Sequence, residues 1–215
     1  MAEALAYDDV VRMLRGAAAK IRDGHETLSR LDAATGDGDH GTSMRRAMEA
    51  LEQAIRDASG RRIAGLLHEV GWAIVSAGGG VTGPLLGAFF MGMSEPAGGR
   101  ETLDAPALAD LFEAALADVR AQTKAKPGDK TMLDAMVPAV EALRAAAGEG
   151  QGPAAAMARA AQAAEAGAAA TTAMQARFGK AKNLGPRSVG SADPGATSMS
   201  FIFRGFADAL AARST

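Results

Sequence analysis

The chain has 215 residues, a length that suits one compact domain spanning residues 1–215. Its formal charge of −2 excludes the basic footprint of a nucleic-acid-binding domain, so we expect no nucleic-acid partner. The absence of cysteine excludes disulfides, zinc–thiolate sites and iron–sulfur clusters. The sequence contains neither a recognisable signal peptide nor a membrane-spanning run, so we expect a cytoplasmic protein without membrane association.

Apolar residues at helical spacing dominate the sequence, as in Leu108, Leu111, Phe112, Ala115 and Val119. No run of alternating β-branched residues indicates a strand. The pattern therefore predicts an all-α bundle of eight amphipathic helices, which are mainly antiparallel because short loops join them. In chain order, the predicted helices span residues 8–22, 42–58, 61–76, 84–93, 106–124, 131–147, 153–174 and 195–212.

Four of the connecting loops are rich in glycine, aspartate, hydroxyl and basic residues, and they precede the second, fourth, sixth and eighth predicted helices. In an up-and-down bundle, alternate loops lie at the same end. We therefore expect these four loops to form a site at one end, with the connector 94–106 at the other. The four loops are residues 32–43, 77–83, 123–131 and 179–198.

The first of these loops contains Gly-Asp-Gly-Asp-His-Gly at residues 36–41. Asp32, Asp37 and Asp39 would repel one another unless a cation lay between them, and carboxylate oxygens are ligands that Mg²⁺ prefers. The glycines would let backbone N–H groups approach an anion such as a phosphate. A solvated turn with an aspartate N-cap explains the same residues, and the motif alone leaves both interpretations open.

The second loop contains a literal G-x-G-x-x-G at residues 78–83, but the preceding residues indicate a helix rather than the strand of a dinucleotide-binding fold. Thr82 is a candidate helix cap that would turn free N–H groups towards an anion. A glycine helix stop followed by a turn is the simpler interpretation.

The third loop ends in a candidate capping box formed by Thr131 and Asp134. Its Lys130 is interpreted as a solvated charge. Met132 would form an apolar wall if a nucleotide base lay nearby, although methionine is more often a core residue.

The fourth loop carries Lys180, Lys182 and Arg187, which would pair with phosphates or form an ordinary charged surface. Asp193 followed by Pro194 predicts the start of the last helix. The chain contains no P-loop sequence.

Together these loops resemble the nucleotide-binding L subunit of bacterial dihydroxyacetone kinases. The motifs occur in the family's order and cover nearly the whole chain. The matching segments are Asp32 with residues 36–41 (GDGDHG), 79–85 (GGVTGPL), 127–132 (PGDKTM), 184–190 (LGPRSVG) and 193–198 (DPGATS).

The resemblance implies a closed barrel of eight antiparallel helices with a nucleotide–magnesium site at one end. It implies that Asp32, Asp37 and Asp39 hold Mg²⁺, with two ions bridged to the phosphates of ADP or ATP. The residues expected to bind the nucleotide are His40, Gly41, Thr42, Ser43, Gly79, Gly80, Val81, Thr82, Thr131, Met132, Lys180, Arg187, Asp193 and Gly195.

The implied activity is phosphoryl transfer from Mg-nucleotide to a keto-sugar that a separate K subunit binds covalently. No acceptor-activating base is evident in this chain. The donor would be ATP, or a bound ADP recharged by a phosphotransferase-system protein. Dihydroxyacetone is the expected acceptor, while a subunit of a tetrulose kinase and a non-catalytic nucleotide sensor are the alternatives.

Two departures from the family pattern bear on these alternatives. The family commonly has Arg-Ala-Ser-Tyr-Leu-Gly where this chain has Lys-Ala-Lys-Asn-Leu-Gly at residues 180–185. Ser191 and Ala192 stand where family members often carry a histidine. Because lysine cannot reproduce the bidentate fork of arginine, the sequence leaves the donor and the sugar undecided.

Overall fold

The computed structural model describes residues 4–78 and 82–212. Helices make up most of these two ranges, and the all-α prediction is confirmed. None of the described helices has both the length and the apolar character needed to cross a bilayer. In chain order, the elements are β1 (Leu5–Ala6), α1 (Tyr7–Thr35), α2 (His40–Asp57), α3 (Ile63–Ser76), α4 (Thr82–Gly92), α5 (Ser94–Ala97), β2 (Thr102–Leu103), α6 (Ala105–Ala121), α7 (Leu133–Gly148), α8 (Pro153–Ala170) and α9 (Pro194–Ala211).

The eight longer helices pack in a ring, each against its neighbours in the chain. The short α5 is bypassed by contacts between α4 and α6, and α1 packs extensively against α9, so that the ring closes on itself. Phenylalanines from α4, α6 and α9 meet in the interior with mostly edge-to-face ring contacts, which is a favourable arrangement for aromatic pairs. These buried rings belong to Phe89, Phe90, Phe112, Phe203 and Phe206.

Helix α1 continues to Thr35, so the predicted end at residue 22 is wrong. Gly24, two residues after the predicted end, is a packing position inside this helix. A Cβ atom there would lie 2.3 Å from the Phe201 ring of α9. The extra turns place Asp32 on a helix rather than in a loop, which fixes its backbone at the end of the ring.

The connector 94–106 contains α5 and β2, neither of which the sequence predicted. Strand β2 pairs antiparallel with β1, with Leu5 opposite Leu103. Strand β1 precedes the first residue of α1, whereas Asp32 lies near the last. At 1.5 Å per residue, the helix separates these points by roughly 40 Å. The connector therefore lies at the opposite end from Asp32, as predicted.

Small residues allow close approach along α8, which packs between α7 and α9. A Cβ atom on Gly167 would lie 2.1 Å from the carbonyl oxygen of Asp134 in α7. Helices α7 and α8 therefore approach each other closely at this point.

Candidate functional site

A pocket of about 360 Å³ opens at the end of the ring where α2, α4, α7 and α9 begin. Its wall includes Asp32 from the end of α1 and residues from the starts of the four helices, namely His40, Thr82, Met132 and Gly195. Within the described residues, the structure thus confirms the prediction that the four loops meet at one end. The volume lies in the usual range for small-molecule sites.

Three carboxylates lie at one side of this pocket. Asp32, Asp37 and Asp39 each offer an oxygen, and these oxygens lie within 4.8 Å of one another. Among the described residues, no other three acidic or histidine side chains come together in this way. Carboxylate oxygens at such spacing match the donor set of a hard divalent cation.

Asp39 occupies the N-cap position of α2, but its side chain makes no capping hydrogen bond. Asp32 does this instead, because its Oδ2 accepts a hydrogen bond of 3.1 Å from the backbone N–H of His40. The interpretation of Asp39 as a helix cap is therefore wrong. Its carboxylate, which is not engaged in capping, faces the other two acids.

Lys180 brings a positive charge to this acidic cluster. Its ammonium group contacts the carboxylate of Asp37, and this hydrogen bond lowers the pKa of Asp37 and raises that of Lys180. Lys180 begins a 3₁₀-helical stretch, Lys180–Ser188, where the sequence predicted only a loop. The stretch bends at Gly185, whose φ of 56° favours glycine.

His40 links three helices beneath the pocket. Its Nε2 lies 3.1 Å from Ser198 Oγ in α9, and its Nδ1 lies 3.4 Å from Thr82 Oγ1 in α4. Ser198 donates its own proton to the Gly195 carbonyl, so we assign the Nε2 proton to His40 and the Nδ1 lone pair to the Thr82 hydroxyl. Burial lowers the pKa of His40, against the opposing effect of nearby Asp32. The imidazole is therefore neutral at pH 7.

Gly41 has a structural reason to be glycine. A Cβ atom at this position would lie 2.0 Å from the His25 carbonyl oxygen and 2.4 Å from Ser29 Oγ, both in α1.

Four of the predicted nucleotide-binding residues do not line the pocket, namely Gly41, Thr42, Ser43 and Arg187. Thr42 and Arg187 are exposed.

The pocket wall also contains Lys130, which was interpreted from the sequence as a solvated charge. That interpretation is wrong, because Lys130 is only 2% exposed. Its Nζ lies within 3.2 Å of four backbone carbonyl oxygens, those of Thr171, Met174, Ser188 and Ser191. Sequence offered no signal for this burial, since the groups that surround the ammonium lie more than forty residues away in the chain.

One of the two hydrogen bonds of the capping box predicted after Lys130 is formed. The Asp134 carboxylate accepts a hydrogen bond of 2.8 Å from the N–H of Thr131, as a capping box requires. Its other oxygen accepts from the N–H of Gly128 at 2.5 Å. These bonds fix the loop that carries Lys130 against the first turn of α7.

Asp193 caps α9 as predicted, with its Oδ2 accepting a hydrogen bond of 2.7 Å from the N–H of Ala196. Burial raises the pKa of this carboxyl to about 7, although the cap bond and the charge of Lys130 favour the ionised form. A buried carboxyl at the base of the pocket is thus close to its protonation midpoint at neutral pH.

The pocket also has an apolar surface formed by Leu85, Met132, Phe178 and Met199. Of these residues, only Met132 was predicted from the sequence. The missed signal is Phe178, one of few aromatic residues in the chain, which lies outside every predicted helix and next to the basic segment. Such a surface suits a flat, apolar ligand group.

Comparison with known proteins identifies the family. The DAK2 domain matches residues 34–208. The chain belongs to the DAK2 domain family. This finding confirms the resemblance inferred from the loop motifs.

Two curated relatives cover most of this DAK2 domain. The ADP-binding subunit DhaL of the PEP-dependent dihydroxyacetone kinase of Escherichia coli is 38% identical over 179 residues, covering 83% of this chain and 85% of the relative. The corresponding subunit of the PEP-dependent dihydroxyacetone kinase 1 of Listeria innocua is 34% identical, covering 93% and 96%.

A solved structure shares the fold of this DAK2 domain. The crystal structure of the dihydroxyacetone kinase from C. freundii in complex with AMP-PNP and Mg²⁺ superposes with a TM-score of 0.73 at 24% identity. The match covers 97% of this chain and 35% of that one.

The structure brings most of the predicted site residues together. Asp37 lies at the rim beside the other two acids, and Gly79, Gly80 and Val81 lie outside the described residues. The predicted residues that line the pocket are Asp32, Asp39, His40, Thr82, Thr131, Met132, Lys180, Asp193 and Gly195.

Proposed function

We propose that this chain is the nucleotide-binding, phosphoryl-transferring subunit of a two-component dihydroxyacetone kinase. One observation carries the proposal: three carboxylates meet at the mouth of a pocket that has an apolar wall and four helix N-termini. The relatives named as ADP-binding subunits of dihydroxyacetone kinases support it.

Asp32, Asp37 and Asp39 would hold the magnesium, because their oxygens form a compact, hard donor set. We assign two ions to this set, since one Mg²⁺ bound to phosphates commonly takes only one or two carboxylates. When bound, the metal neutralises negative charge on the phosphoryl group during transfer. Lys180 adds an exposed positive charge beside Asp37.

The rest of the pocket would hold the nucleotide in a fixed orientation. Met132 and Phe178 offer apolar surface to the base. The first turns of α2 and α4 present N–H groups, which together with the helix dipoles favour phosphate. His40 is neutral and fixes the two turns relative to α9 through its hydrogen bonds to Thr82 and Ser198. We also keep as part of this proposal the nucleotide contacts predicted from the sequence for the other residues, including residues 79–81.

The carboxylates of the described pocket already have other roles in this proposal, since Asp32 and Asp39 would hold metal and Asp193 caps α9. We therefore propose that the keto-sugar comes on a separate K subunit that docks over the pocket mouth. We further propose that tightly held ADP is the phosphate carrier and that a phosphotransferase-system protein recharges it, because the E. coli relative is named PEP-dependent.

Two measurements test the function. Mass spectrometry of gently purified protein should detect co-purified ADP. A reconstituted assay should show phosphorylation of dihydroxyacetone only when this chain, a K subunit, magnesium and a phosphoryl donor are all present, with erythrulose as a parallel acceptor. Nucleotide binding without turnover of either ketose would contradict the kinase assignment and leave a binding protein.

A further inference from the structure

Lys130 has an unusual backbone for its residue type. Among the described residues, it is the one non-glycine residue with a positive φ, at 63°. A side chain in this region costs on the order of 1 kcal/mol and persists only where the surroundings hold it. The Lys130 side chain is also almost completely buried. Backbone and ammonium group are thus both held in costly states at the wall of the pocket.

The ammonium group of Lys130 is surrounded by carbonyl oxygens from two separate segments. Thr171 and Met174 follow α8, with Nζ–O distances of 2.9 and 3.2 Å. Ser188 ends the 3₁₀ stretch and Ser191 follows it, with Nζ–O distances of 2.6 and 2.5 Å. The lysine therefore binds both ends of the intervening chain, residues 175–187, which we call the covering segment.

The covering segment forms part of the pocket wall through Phe178 and Lys180. Its ends are also joined by a hydrogen bond of 2.9 Å from the N–H of Ala176 to Ser188 Oγ. Directly after Lys130 in the chain, Thr131 and Met132 line the same pocket. One residue therefore connects two parts of the pocket wall that are far apart in the chain.

We propose that Lys130 is a positioning residue for the nucleotide, holding the covering segment at a fixed distance from Thr131 and Met132 so that the pocket is formed before the ligand binds. The inference rests on the proposed nucleotide-binding function. An apolar side chain would fill the same space without the cost of burying a charge, so the ammonium has a role that bulk alone would not serve. Burial also lowers the pKa of Lys130.

The test is Lys130→Met, which keeps the length of the side chain and removes the charge. We expect the Kd for Mg-ADP, measured by calorimetry well below the melting temperature, to rise about tenfold to a hundredfold because several charge-assisted hydrogen bonds are lost. Hydrogen exchange of amides in the covering segment should accelerate in the same variant. The control Lys126→Met removes an exposed lysine from the same loop and should change neither quantity.

A chemical rescue separates positioning from general stability. Because the chain contains no cysteine, Lys130→Cys can be aminoethylated selectively in denaturant and refolded to restore an ammonium group of nearly the same reach. Wild-type protein taken through the same cycle is the control. The aminoethylated variant should recover the wild-type Kd, whereas the unmodified Cys variant should not.

The outcomes are distinguishable. If wild-type protein binds Mg-ADP and Lys130→Met binds it with the same Kd, the inference is overturned and the proposed function stands. A lower melting temperature with an unchanged Kd would equally overturn it, since that pattern reports structure alone. If wild-type protein does not bind Mg-ADP, the proposed function fails, and unchanged exchange in the covering segment of Lys130→Met would separately refute the role of the lysine.

Discussion

Two parts of the pocket wall differ in how their charged groups are exposed to solvent, and we call them the acidic side and the buried side. On one side, three carboxylates lie together, and the cation beside them, Lys180, has a side chain that is 59% exposed. On the other side, the ammonium of Lys130 is buried among backbone carbonyls. An exposed ion pair contributes little stability and can be exchanged, whereas a buried charge cannot lose its partners cheaply. The acidic side is therefore suited to accept a cation from solution, and the buried side carries its own.

The carboxyl groups of the two sides also differ in their pKa. Contact with Lys180 lowers the pKa of Asp37, so this carboxylate stays ionised and available to a metal. Burial raises the pKa of Asp193 to about 7, so this group favours the protonated form over a wide pH range. The acidic side can therefore exchange its cation partners with solvent, whereas the buried side keeps its hydrogen-bond partners fixed. The predictions below test this difference, beginning with the largest expected effect.

Removing one carboxylate from the acidic side should abolish its metal site and leave the fold unchanged. Asp37→Ala or Asp39→Ala should lower phosphoryl transfer by about 10³-fold or more, because the transferred charge loses its metal-based stabilisation. The helical circular dichroism should remain that of the wild type. Asp23→Ala, which removes an exposed aspartate from α1, is the matched control and should retain activity. Wild-type turnover in Asp37→Ala would refute the metal site.

The buried side should make stability depend on pH. Because the folded-state pKa of Asp193 lies above the ordinary value of 3.8, its contribution to stability is fully present below about pH 4 and is lost as the pH rises through 7. The loss between pH 4 and pH 8 should reach up to about 4 kcal/mol. Urea unfolding of Asp193→Asn, which keeps an acceptor for the cap, should lack this component.

The control for that experiment is Asp104→Asn. Asp104 caps α6 by accepting a hydrogen bond from the N–H of Ala107, but its side chain is exposed. This variant should retain the pH dependence of the wild type. An identical profile for wild type and Asp193→Asn would show that the charge at Asp193 is not linked to folding.

Magnesium should couple nucleotide binding to stability on the acidic side. At a ligand concentration of about 100 times Kd, Mg-ADP should stabilise the protein by about 2.7 kcal/mol, or roughly 5–10 °C in Tm. ADP with a chelator should give a much smaller shift, and Asp39→Ala should give the same small shift with and without magnesium. Equal shifts with and without the metal would contradict the proposed role of the carboxylates.

The smallest expected effects concern the hydrogen bonds by which His40 links α2 to α4 and α9. Ser198→Ala should cost about 1 kcal/mol of stability, because it removes the bonds to both His40 and the Gly195 carbonyl, and Thr82→Val about half as much. Chemical denaturation measures both, with Thr197→Val as a control for loss of a hydroxyl in α9. A larger loss for Thr82→Val would contradict this order.

Local features of the site were predictable from the sequence. Asp193 with Pro194 starts α9, and its cap bond is present because capping depends on residues three positions apart. Helical periodicity determined the fold class, and the parity of the loops indicated which of them meet. The acids Asp32, Asp37 and Asp39 were also found from their spacing, because they lie within eight residues of one another.

Tertiary structure alone decided the features that depend on distant partners. The first helix was predicted to end at residue 22, yet α1 continues to Thr35, and its Gly24 lies against Phe201 of α9. Lys130 has the sequence surroundings of a surface residue, but carbonyl groups from Thr171 to Ser191 enclose it. Capping and periodicity are short-range and can be read along the chain. Burial and close helix contact depend on residues that only the closed ring of helices brings together.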